Sequence, residues 1–244
     1  MARASMTISS SGSVAPTDER EGTMEIGIIG AGHIGGSLTR RLAGLGHVVR
    51  VSNSRAPETL ADLASEAGAT AVWAREAATD ADLVIVSIPQ KNVVDLAPAV
   101  VAGAKPGAPV IETNNYYPRE RDGLIAAIEA GTPESVWVSE QLGVPVFKVF
   151  NGIFWKHLLE RGLPSGSAGR IALPVAGDDQ NGKQIVFDLV DELGFDPVDG
   201  GTLAESWRQQ PGTPVYGADL DVEAAIRALA AASPERPDAF RAAG

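Results

Sequence analysis

Residues 24–55, MEIGIIGAGHIGGSLTRRLAGLGHVVRVSNSR, decide how the rest of the chain is read. Glu25 to Ile29 is a compact apolar run of strand type. Gly30-Ala31-Gly32-His33-Ile34-Gly35 follows at once and fits G-x-G-x-x-G. Ile34, Leu38, Leu42 and Leu45 then recur at helical spacing and form one apolar stripe. Gly46 suits a left-handed cap that closes the helix. Val48 to Val51 supplies a second strand. A glycine motif alone is a weak signal, but between a strand and a helix, with a strand after it, it marks a dinucleotide-binding turn.

Each glycine has a task in such a turn. Gly30 lets the chain leave the strand sharply, Gly32 lets a pyrophosphate approach the backbone, and Gly35 lets the helix pack close to the sheet. Free N–H groups and the positive end of the helix dipole then hold the phosphates. The end of the second strand selects the cofactor. An NAD site places Asp or Glu there, to accept hydrogen bonds from the ribose hydroxyls. Here the strand ends in Ser52-Asn53-Ser54-Arg55, and no acid appears before Glu58. Two hydroxyls, an amide and a guanidinium suit a 2′-phosphate, which a carboxylate would repel. The expected cofactor is NADP(H).

The chain has 244 residues, 44% hydrophobic, enough for one large domain or a large and a small one. Its net charge of −11 argues against nucleic acid and anionic membranes as partners. With no cysteine there are no disulfides, thiolate nucleophiles or cysteine-based metal centres. Three histidines, His33, His47 and His157, are too few for a His-rich metal site, so no metal is expected. Residues 1–23 are rich in Ser, Thr and Gly and lack a signal-peptide core. They read as a disordered tail before a cytoplasmic domain, and no run is long and apolar enough to span a bilayer.

The pattern continues as a doubly wound α/β chain. Pro57 opens a helix that runs to Gly68. Residues 69–73 suit a third strand and residues 75–81 a short helix. Residues 81–88 form an apolar fourth strand, buried on both faces. Ser87, Ile88 and Pro89 at its end should line the nicotinamide half of the cofactor, because ligands of open parallel sheets lie at the carboxyl ends of the strands. A helix is expected over residues 92–101 and a fifth strand over 109–112. The polar and aromatic run Thr113-Asn114-Asn115-Tyr116-Tyr117-Pro118-Arg119 follows. Asn114, Tyr116 and Tyr117 are substrate-binding candidates, as is Asn151 after a sixth strand at 146–150. Helices are expected near 124–130, at 135–142, at 179–193 and at 222–232, with a last strand at 195–198. The polar run between, residues 200–216, suits a loop laid over the site. The chain therefore divides into a tail (1–23), a Rossmann-like nucleotide-binding domain (24–152), a small C-terminal portion (153–232) and a frayed end (233–244).

These segments resemble the deazaflavin-dependent NADP oxidoreductases, which use coenzyme F-420. The likeness runs over about residues 24–200. It rests on the glycine motif, Ser-Asn-Ser-Arg after strand two, Val-Ser-Ile-Pro after strand four, Thr-Asn-Asn-Tyr-Tyr-Pro, Lys148-Val-Phe-Asn151 and Leu173-Pro-Val-Ala-Gly-Asp-Asp179. The resemblance implies a Rossmann-like fold, a homodimer, and hydride transfer between NADPH and a stacked deazaflavin. It also implies pyrophosphate contacts from Gly30, Ala31, Gly32, His33 and Ile34. Ser52, Ser54 and Arg55 would meet the 2′-phosphate, and Ile88 and Pro89 the nicotinamide. The chain departs from the family after residue 198, where a long apolar closing helix gives way to the Pro/Gly-broken run. The residues leave two other readings open: an NADPH-dependent reductase of a flavin, metal chelate or small carbonyl compound, and a sensor that binds NADPH without turnover. No catalytic side chain is assigned, since hydride transfer between stacked rings needs closeness, alignment and exclusion of water. For a ketone substrate the candidate proton donors are Tyr116, Tyr117 and His157.

Overall fold

The computed structural model describes residues 22–243. Of the tail expected at 1–23, all but Gly22 and Thr23 lie outside the described residues. The strands are β1 (Glu25–Ile29), β2 (Val48–Ser52), β3 (Thr70–Ala71), β4 (Leu83–Val86), β5 (Val110–Glu112), β6 (Phe147–Lys148), β7 (Ala172–Val175) and β8 (Asp196–Asp199). The α-helices are α1 (His33–Gly44), α2 (Ala61–Ala67), α3 (Ala74–Ala77), α4 (Pro98–Val101), α5 (Ala126–Glu129), α6 (Glu134–Leu142), α7 (Trp155–Glu160), α8 (Gln180–Glu192) and α9 (Val222–Ala230).

Six parallel strands form one sheet in the order β3-β2-β1-β4-β5-β6. This is the doubly wound Rossmann arrangement, and the order reverses between β1 and β4. Successive residues of these strands face opposite layers, as strand geometry requires. Ile26 and Ile28 of β1, with Leu83 and Ile85 of β4, join the layer containing Leu38 and Leu42 of α1. Ile29, Val84 and Val86 join the other layer, with Ala77, Val101, Val138 and Leu142. Covering both faces leaves β4 fully buried, which is why it reads as an unbroken apolar run.

The C-terminal portion is a βαβ unit. β7, α8 and β8 build a two-stranded parallel sheet. It docks on the edge of the large sheet through an antiparallel bridge between Lys148 and Ala176. Asp179 caps α8, its carboxylate accepting the Gly182 N–H at 2.6 Å. α9 covers the small sheet through Ala225 and Leu229. No helix among the described residues is long and apolar enough to cross a membrane.

Several expected elements are shorter or broken. The helix read over 92–101 is a 3-10 turn, Gln90–Asp95, followed by α4. Pro98 divides them: it has no N–H to continue a helix, and it holds Ala97 in an extended conformation. The helix read over 75–81 stops at Ala77, before Asp80 at φ +54°. Residues 236–241, within the end read as frayed, make specific contacts with the body of the chain. Arg236 pairs with Glu134 at 2.7 Å, Arg119 donates to the carbonyls of Asp238 and Arg241 at 2.9 Å each, and Phe240 lies against the Tyr117 ring. The helix pattern missed this segment because its anchors are single side chains and backbone groups.

Candidate functional site

A cleft of 540 Å³ opens where the strand order reverses. Its floor is the β1–α1 turn. Gly30 has φ +109°, in the left-handed region. A Cβ there would stand 2.1 Å from the Ser87 carbonyl oxygen, and one on Gly35 would stand 1.9 Å from the Gly30 carbonyl oxygen. These are backbone obstacles that no side chain could move aside. Gly32 differs, because nothing lies within 4 Å of its missing Cβ. It is the N-cap of α1, yet it provides no side-chain acceptor, and the first turn carries no acid. The first-turn N–H groups therefore face an open, uncapped space, the physical requirement of an anion cradle.

Asn53, Ser54 and Arg55 form one wall of the cleft. The Asn53 carboxamide shapes the loop: Oδ1 accepts the Arg55 N–H at 2.8 Å, and Nδ2 donates to Thr59 Oγ1 at 3.0 Å. Ser54 and Arg55 are exposed. Ser52 corrects the sequence reading. It is fully buried, its hydroxyl donating to the Ile28 carbonyl at 3.3 Å, and its side chain does not line the cleft. As the last residue of β2 it is held against β1, where its carbonyl also accepts the Gly30 N–H at 2.9 Å. Asp95 is the carboxylate that lines the cleft, and it comes from the turn after β4.

Ser87, Ile88 and Pro89 also line the cleft. Thr113 Oγ1 donates to Ser87 Oγ at 2.9 Å, and the Ile88 N–H donates to Asn114 Oδ1 at 3.2 Å. The loops after β4 and β5 are therefore tied side by side. Ala31 also lines the cleft, whereas Ile34 packs on the core. His33 is exposed and stacks on Trp155 of α7, ring centroids 4.8 Å apart and planes 12° from parallel.

Behind the β5 loop sits a buried ionic group. Lys148 Nζ donates to Glu112 Oε1 at 3.1 Å and to the Asn114 carbonyl at 3.0 Å, and lies 3.9 Å from Glu134 Oε2. Glu112 Oε2 accepts the Asn114 N–H at 2.8 Å. Burial pushes the Glu134 carboxyl up from its ordinary range, against the pull of Lys148 and Arg236. Every one of these contacts holds the path of residues 112–116 in place.

The predicted substrate residues divide. Tyr116 is fully buried, its hydroxyl donating to the Gly123 carbonyl at 2.9 Å and accepting the Ile125 N–H at 3.0 Å. With both sides of the hydroxyl committed, it anchors its own loop and does not reach a ligand. Asn114 is likewise buried and ties β4 to β5. Tyr117 is half-buried and meets Tyr216, hydroxyl to hydroxyl. Asn151 donates to Asn115 Oδ1 at 3.1 Å and to the Gln209 carbonyl at 2.7 Å. His157 lies 2.8 Å from an Asp219 carboxylate oxygen and outside the cleft lining. Sequence reading missed Asn115, Gln209 and Tyr216. The last two are distant in sequence from the loops they meet, so no local pattern could have paired them. The run at 200–216 does lie over the β5 and β6 ends, where the Gly217 N–H donates to the Gly152 carbonyl at 2.9 Å.

Comparison with known proteins points the same way. Residues 25–116 match the family described as NADP oxidoreductase, coenzyme F-420-dependent. That stretch is the part of the chain that builds the cleft. It contains β1 through β5, the cleft and the loop up to Tyr116. The Escherichia coli protein YjhV is 51% identical over 67 residues, a match covering 28% of this chain and 49% of YjhV, about half its length. The hypothetical protein SMa0349 of Sinorhizobium meliloti shares 29% identity at a TM-score of 0.67, over 80% of this chain and 94% of that one. A protein of Arthrobacter sp. FB24, provisionally named as an F-420-dependent NADP reductase, shares the fold at 20% identity and a TM-score of 0.59, over 74% and 86% of the two chains.

Proposed function

We propose that this chain transfers hydride between NADP(H) and a deazaflavin, coenzyme F-420. The observation that supports it most is the end of β2, where Asn53, Ser54 and Arg55 face the cleft and that strand supplies no carboxylate. Together with the uncapped turn at Gly32, this wall fits a dinucleotide with a 2′-phosphate. In this reading the first-turn N–H groups, with Gly30, Ala31, Gly32, His33, Ile34 and Gly35 around them, hold the pyrophosphate. Ser54 and Arg55 hold the 2′-phosphate, with Asn53 fixing their loop. Ser87, Ile88 and Pro89 present an apolar and hydroxyl wall to the nicotinamide.

The bound dinucleotide supplies the hydride. The protein aligns the two rings and keeps water out. The loop at 113–117, held by the buried Lys148 group and covered by residues 203–217, forms the acceptor side. Assembly as a homodimer belongs to the same reading. The test is NADPH oxidation, followed by absorbance, with oxidised F-420, a flavin or a small carbonyl compound as acceptor. Turnover with F-420 alone supports the reading. Turnover with the others alone, or tight NADPH binding with none of them reduced, refutes it.

A further inference from the structure

Of the three tyrosines in this chain, Tyr117 and Tyr216 meet across a sequence separation of 99 residues. Tyr117 follows β5, and its ring is held between the Arg121 guanidinium, 5.2 Å from the ring centroid, and Phe240, whose centroid lies 6.5 Å away. Tyr216 ends the covering segment and is anchored beside Gly152. The third polar neighbour is Asn115, whose Nδ2 approaches the Tyr216 hydroxyl at 3.5 Å.

Counting protons gives the pair a property that neither residue has alone. Two phenols carry two hydroxyl protons, and one contact between their oxygens uses only one of them. Asn115 approaches through its NH₂ and is a donor, so it takes up no proton. Among the described residues neither hydroxyl has another acceptor. Whichever phenol donates within the pair, one O–H is left pointing at no protein acceptor. Burial pushes the Tyr216 phenol well above its ordinary value, so it stays protonated throughout the physiological range.

We infer that the Tyr117–Tyr216 pair is the recognition site for the hydride acceptor, donating its uncommitted phenolic O–H to a carbonyl oxygen on the acceptor's ring. This rests on the acceptor reading proposed above and deepens it. The deazaflavin ring carries such oxygens and is flat, and the loop that bears Tyr117 is tied to the nicotinamide wall through Asn114 and Ile88. A partner with no ring carbonyl would leave this O–H without an acceptor, which is how the pair discriminates.

Proton counting also fixes the pattern of mutant effects. Either Tyr117→Phe or Tyr216→Phe leaves one phenol whose hydroxyl is still available, so each single variant keeps a donor. Only Tyr117→Phe/Tyr216→Phe removes it. The experiment measures oxidised F-420 binding to the full chain with NADP⁺ present, by deazaflavin fluorescence, alongside NADPH affinity as a check on folding. The double variant is expected to bind F-420 about tenfold more weakly, with each single variant much closer to wild type and NADPH affinity unchanged. A double variant that binds F-420 like wild type overturns the inference and leaves the proposed activity standing. A wild type that takes no F-420 refutes the acceptor reading itself. The unaltered protein gives a second measurement: the infrared C–O stretch of the tyrosines should shift when F-420 binds, and an unchanged band contradicts the assignment.

Discussion

The Asn114 side-chain carbonyl accepts the Ile88 backbone N–H at 3.2 Å, joining the loop after β5 to the loop after β4 across the mouth of the cleft. Asn114 is 3% exposed, so no bulk water can replace it. Asn114→Ala leaves the Ile88 donor without its partner and is expected to cost about 1–3 kcal/mol of stability. The nicotinamide wall should also lose its fixed position and hydride transfer should slow. Urea unfolding and steady-state kinetics check the two effects. A variant that matches wild type in both would show that the tie is incidental.

Gly35 is the second point. A Cβ there meets the backbone at 1.9 Å, so the neighbour cannot rotate away. Gly35→Ala should push α1 off the turn, cost at least the ~1–3 kcal/mol of an overpacked core and weaken NADPH binding together with stability. At Gly32, where no atom lies within 4 Å, the alanine variant should retain its stability and lose only cofactor affinity. Melting temperature against NADPH affinity separates the two glycines.

Lys148 is fully buried, 3.1 Å from Glu112 and 3.9 Å from Glu134, two carboxylates that are themselves fully buried. Lys148→Met should destabilise by about 3–5 kcal/mol at neutral pH, the cost of breaking a buried ion pair. The Glu134 carboxyl already sits above its ordinary range, and losing Lys148 raises it further. A carboxyl raised in the folded state binds protons that the unfolded chain has released, so stability falls as pH rises from the unfolded value. The deficit of this variant should therefore shrink toward about pH 4, near the unfolded Glu value. Urea unfolding across pH is the measurement, and a deficit that grows on acidification would refute the arrangement.

Removing residues 233–244 tests the packed C-terminal segment. Arg236 contacts Glu134 and Gln210, and Phe240 backs Tyr117. The shortened chain should be less stable and bind the acceptor more weakly, with little change in NADPH affinity, since the nucleotide cleft contains none of these residues. Unchanged acceptor binding would show that this segment plays no part in placing Tyr117.

Much of this architecture was readable from residue order because it is local. The strand–turn–helix of residues 25–44 declares itself through the apolar run, the glycines and the helical stripe, and β4 through its unbroken hydrophobicity. Positions at which two alternatives share one local pattern were not readable. Ser52 and Ser54 look alike in sequence, yet Ser52 is the last residue of β2, bonded to the β1 backbone, while Ser54 lies in the loop beyond the strand and lines the cleft. Tyr116 and Tyr117 are adjacent, yet the first closes its own loop and the second faces Tyr216. The ionic group around Lys148 joins residues from β5, α6, β6 and the C-terminal segment, and nothing short-range announces such a meeting.

Whether the wall at residues 53–55 selects the 2′-phosphate is read most directly by titrating NADPH and NADH into the wild-type protein and into Arg55→Ala. The wild type should bind NADPH more tightly. The variant should lose about 1.5–3 kcal/mol toward NADPH, the worth of a charge-assisted hydrogen bond, and almost nothing toward NADH. Equal losses for the two dinucleotides, or no preference in the wild type, would contradict the assignment of this cleft to NADP(H).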